Sequence, residues 1–203
     1  MLSIDTARWL LIAHAITGGA ATAAATHWVV WLWPLWRGRT TRARGMRRFA
    51  VITMALYVLA MVIGLVLYPT YKAHVKLEYL TRPSSVIGDA ADRAIAHDEL
   101  NDRAAARPPR PVDLDRARQR AGDATDRTKK VARWFDVKEH WVAVGLLLGL
   151  GVMAVVLVWK PSSEAEARDG PVAFIVLGAL IVAAILWLAV IVGLATSATR
   201  SFG

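Results

Sequence analysis

The chain reads as an all-α membrane protein: a four-helix transmembrane bundle with a charged extracytoplasmic insertion between helices 2 and 3. Three observations predict it. The composition is 56% hydrophobic, with a mean hydropathy of +0.39, too apolar for an ordinary soluble domain. Four apolar runs each supply about the 20 residues that cross a hydrocarbon core of roughly 30 Å. The loop between the first two runs is purely basic.

The first span reads from Trp9 to Pro34. Small residues from Ala20 to Ala25 resemble a signal-peptide cleavage site, but Met1 to Arg8 carries both Asp5 and Arg8, and the apolar run continues to Trp36. An uncleaved helix is expected. The second span reads from Phe49 to Tyr68, where Pro69 is expected to break the helix and fold the chain over the bundle. The third reads from His140 to Trp159 and the fourth from Pro171 to Leu194. The runs are continuous in Leu, Val, Ile and Ala, without two-residue alternation. That favours helices over the strands of a barrel.

Orientation follows from the short loops. Arg37, Arg39, Arg42, Arg44, Arg47 and Arg48 stand between spans 1 and 2 without an acid. The positive-inside rule assigns that loop to the cytoplasm, and both termini to the outside. Trp28, Trp31, Trp33 and Trp36 form an inner interfacial belt; Tyr68, Tyr71 and Trp141 form an outer one. The net charge of +9 is accounted for by topology and anionic lipid, and no nucleic-acid motif accompanies it. The absence of Cys excludes disulfides, thiolate metal sites and c-type haem attachment.

Residues 81–134 differ in composition. From Thr81 to Lys130 the chain is rich in Arg, Asp and Ala, with nearly balanced charge and too few large apolar side chains for a core of its own. A helix is expected over about Ser85 to Ala106. A second starts near Asp113 and continues into the third span, with Pro108, Pro109 and Pro111 between them. Such a segment is a salt-bridged hairpin, a partly disordered loop, or a docking arm for another membrane subunit. We treat 1–80 and 135–203 as the membrane parts of one domain.

Polar groups at membrane depth are the site candidates. His14 and His27 both lie in helix 1, about 20 Å apart along its axis and about 220° apart around it. One metal cannot bridge them. His27 belongs with the inner belt. His14, one to two turns below the outer surface, shares its level with Tyr68, Tyr71, Lys72 and His140, and His74 follows. His14 and His140 from facing helices would supply the axial ligands of one b-type haem. Tyr68, Tyr71 and Lys72 would orient its propionates or a quinone. Copper, using His14, His140 and Met61, is an alternative, as is a quinone head group bonded to His14 or Tyr68. Gly18 and Gly19 would let a flat macrocycle approach; Gly145 and Gly149 form the ordinary close-packing motif. In the bland reading, His14 bonds a neighbouring helix and His140 snorkels to the interface.

No Ser-His-Asp set, H-E-x-x-H or P-loop occurs. No span is expected to hold a buried carboxylate, which argues against ion pumping. Trp9, His14, Gly18 and Gly19 in helix 1, with His140 opening helix 3, resemble small four-helix bacterial membrane proteins of the copper-resistance-D-like and b-type-cytochrome-like groups. The stretches Tyr68-Pro69-Thr70-Tyr71-Lys72 and Phe135-Asp136-Val137-Lys138-Glu139-His140 resemble segments of uncharacterised bacterial proteins. The resemblance covers the helices, not the insertion. It implies a bacterial plasma-membrane protein with a redox or metal function. Multi-haem members carry more histidine pairs than this chain has, so at most one bis-histidine haem is implied. The other expectation is a non-catalytic accessory subunit, meeting its partners through the 81–134 arm and the small faces at Gly145/Gly149 and Gly178.

Overall fold

The computed structural model describes residues 2–37, 39, 43–73, 83–105, 114–159 and 170–199. Every regular element among them is helical: α1 (Ile4–Trp36), α2 (Ala43–Tyr71), α3 (Pro83–Ala104), α4 (Leu114–Val158) and α5 (Val172–Thr199). Four of these, all but α3, are long and apolar enough to cross a membrane. Between 22% and 39% of each apolar stretch is buried within the chain. The remainder needs lipid around it, and the chain is a multi-pass membrane protein.

Local chemistry sets the helix ends. Ser3 caps α1 by accepting from the Thr6 amide at 3.2 Å. Pro83 opens α3 at a position where a missing N–H costs nothing. Pro34 and Pro69 lie inside the last turns of α1 and α2 rather than ending them. Each removes one backbone bond near a helix end, where the neighbouring residues still find carbonyls one turn back. The expected break at Pro69 is therefore displaced to just beyond Tyr71.

α1 packs on α2 and α5, and α4 packs on the same two, so α1 and α4 stand on one diagonal of a square bundle. α3 packs on α4, making a two-helix arm. The start of α4 at Leu114 and its unbroken run to Val158 match the expectation of a helix beginning near Asp113 and passing into the third span. The Leu2 amide donates to Thr70 Oγ1 at 3.3 Å, so the start of α1 and the end of α2 share one face of the bundle, called here the arm end. The opposite face is the arginine end.

The apolar core fills the arginine end and the middle. Trp28, Leu32, Met46, Val152, Val156 and Ile175 form one cluster; Ala21, Ala25, Met54, Tyr57, Val182 and Leu186 form the next. Tyr57 Oη donates to Val142 O at 2.8 Å, tying α2 to α4. Trp187 Nε1 donates to Thr26 Oγ1 at 3.2 Å, tying α5 to α1. Threonines in the spans return their hydroxyls to carbonyls one turn back: Thr22 to Gly18, Thr26 to Thr22 and Thr196 to Val192.

Candidate functional site: the polar arm end

Above the second core cluster the packing turns polar. His14 points from α1 toward α2, its Nδ1 2.9 Å from Ala60 O. A carbonyl only accepts, so Nδ1 carries the hydrogen and donates. The neutral ring then keeps its lone pair on Nε2. Gly64, one turn from Ala60, makes the approach possible: a Cβ there would stand 3.0 Å from His14 Cε1. Met61, beside Ala60 in sequence, is half-buried.

α4 supplies two groups that reasoning from the sequence did not select. Lys138 Nζ lies 5.1 Å from the Phe135 ring centre and reaches toward Gly193 of α5, 3.8 Å from where a Cβ would be. It is an electrostatic neighbour of both His14 and Glu139. Glu139 Oε1 is buried, one residue before the third span as read from the sequence. The reason is the continuity of α4, which carries residues 136–139 into the bundle end instead of leaving them in a loop. A signal was present. Lys138, Val142, Gly145 and Gly149 follow helical spacing, and the last three pack inward.

Tyr71 stacks on Phe135 with ring centres 4.3 Å apart. Its hydroxyl is buried with no hydrogen-bond partner among the described residues. Tyr71 therefore joins the cluster. Tyr68 and Lys72 sit together at its edge, Lys72 Nζ 5.9 Å from the Tyr68 ring centre, with Lys72 exposed. His140 is exposed, and its Nδ1 donates to Asp136 O at 2.8 Å. It stands about 200° around α4 from Lys138, which neighbours His14. His14 and His140 are thus not brought into one space within the chain. His74 lies outside the described residues.

The glycines divide by contact. A Cβ on Gly145 would meet Tyr57 Oη at 2.8 Å, and one on Gly149 would meet Met54 Sδ at 2.7 Å; one on Gly178 would collide with Val152. The small faces expected to receive a partner subunit are filled by this chain's own side chains, because close helix packing consumes them. A Cβ on Gly18, Gly19 or Gly151 would meet nothing within 4 Å. At the other end His27 stacks on Phe49 at 5.6 Å and Trp31 on Phe49 at 6.0 Å, an aromatic layer at the level of the tryptophan belt.

Among the described residues no three of His, Cys, Asp and Glu converge as a metal site would require. The arm end offers one imidazole lone pair, one ammonium, one buried phenol and one buried carboxylate oxygen. Such a set can hold a ligand through Nε2, or a head group carrying both a donor and an acceptor. No family model, curated protein or solved structure matches the chain.

Proposed function

We propose that the chain is a non-catalytic accessory subunit of a larger membrane complex, seated in a bacterial plasma membrane with the arm outside the cytoplasm. The arm carries this reading. α3 and the first half of α4 form a charged helical hairpin beside a bundle that packs its own interior. Leu100 is 64% exposed and Trp134 54% exposed on that hairpin, in a segment otherwise built for water. A polar arm with isolated apolar anchors suits docking on a partner's surface. A variant lacking residues 85–129 is expected to lose its complex in a native pull-down in mild detergent. Unchanged co-purification of partner subunits would end the reading.

A second reading, electron transfer through a bound cofactor, has one observation in its favour. A ring that donates Nδ1–H to a backbone carbonyl and presents Nε2 has the orientation that ligating histidines adopt, and His14 has it. Haem b, copper or a quinone would then use His14, with Lys138 as its charged neighbour. The reduced-minus-oxidised spectrum and the metal content of the same purified sample separate the readings. His14→Ala is expected to leave assembly intact under the accessory reading.

A further inference from the structure

The connection between α1 and α2 is a collar of cations: no Asp or Glu occurs between Thr6 and Leu77. Its arginines do not all do the same work. Arg47 turns inward, its Nε donating to Val156 O at 3.3 Å and its Nη2 to Trp159 O at 3.2 Å. Those are carbonyls that the end of α4 leaves open. Arg37, Arg39, Arg44 and Arg48 are exposed, and among the described residues none has an acid partner.

Arg44 and Arg48 are one turn apart on the same face of α2. That face continues deeper as Val51, 45% exposed, and Ile52, 46% exposed. Arg37 lies 5.1 Å from the centre of the exposed Trp33 ring, which places an aromatic plane at the level of the cations. The surface is therefore cationic at its rim and apolar immediately below. That is the complement of a molecule with an anionic head and hydrocarbon tails, not of a soluble acidic protein. We propose that Arg44 and Arg48 bind the phosphodiester of an anionic phospholipid whose acyl chains run along Val51 and Ile52. The guanidinium fork matches phosphate oxygens in pairs.

The test is native mass spectrometry of the purified full-length protein, titrated in detergent with phosphatidylglycerol or phosphatidylcholine. The wild type is expected to retain phosphatidylglycerol preferentially. Arg44→Gln/Arg48→Gln is expected to reduce that preference roughly thirtyfold, from the per-cation attraction of anionic lipid. Arg47→Gln is expected to keep the preference while lowering Tm, since its bonds go to α4. Arg44→Lys/Arg48→Lys keeps the charges and guards against misfolding; its preference should persist at low salt and fall at high salt. Equal retention of both lipids by the wild type overturns the proposal. So does an undiminished preference in the double Gln variant, or one in the Lys variant that ignores salt.

Discussion

A single methyl group tests the α2–α4 crossing. At Gly145 it would stand 2.8 Å from Tyr57 Oη and 2.9 Å from Ile185 Cγ2. Gly145→Ala is expected to cost about 1–3 kcal/mol by overpacking, read as unfolding in mixed detergent. Tyr57→Phe alone removes one interhelical bond, worth about 0.6 kcal/mol on average in membrane bundles. Because it also removes the atom a Cβ would strike, Gly145→Ala should be milder in the Tyr57→Phe background. Additive losses in that double-mutant cycle would show that the hydroxyl is not what limits the space. Gly18→Ala meets no such obstacle, and helix propensity alone predicts a gain of roughly 0.5–1 kcal/mol. In the sequence these glycines look alike. Which ones are filled depends on the neighbouring helix, so no local pattern separates them. The same holds for Lys138, Glu139 and His140. The three are consecutive, each turned about 100° from the last. The Tyr57–Val142 contact sets the rotation of α4, turning Lys138 inward and His140 out.

Among the elements, α4 was the most legible and also the source of the main surprise. A continuous apolar run of about 20 residues located its membrane half, and the composition of the preceding segment located its polar half. Continuity between the halves was expected from a helix starting near Asp113, with Gly122 as the residue that counts against it. What it implies for residues 136–139 was not evident, because charged residues at a span's edge read as loop. Gly122 is exposed, with open space around it. Gly122→Ala is expected to stabilise the arm by about 0.5–1 kcal/mol, seen as slower amide exchange across residues 114–134. At the other end of the same helix, Arg47→Leu deletes two charge-assisted bonds. Since bonds to charged groups are worth about 1.5–3 kcal/mol each, a clear fall in Tm should follow, with exchange quickening first around Val156.

For the whole molecule, orientation is the outstanding prediction. The native sequence holds no Cys, so Ser84→Cys, exposed on α3, gives a clean label. A membrane-impermeant maleimide is expected to reach it in intact cells. Labelling only after rupture would invert the topology derived from the arginine loop. The 45-residue α4 adds a mechanical consequence. As a helix it is about 68 Å long, against a hydrocarbon core of roughly 30 Å, so about half of it stands outside as a stiff rod. Tilting that rod by about ten degrees sweeps its tip through roughly 6 Å at a rise of 1.5 Å per residue. With no hinge along the helix, the motion arrives as torque where Lys138 and Glu139 enter the bundle. A load on the tip is thus geared down into a small, forceful turn beside His14, and the arm works as a handle on the polar end.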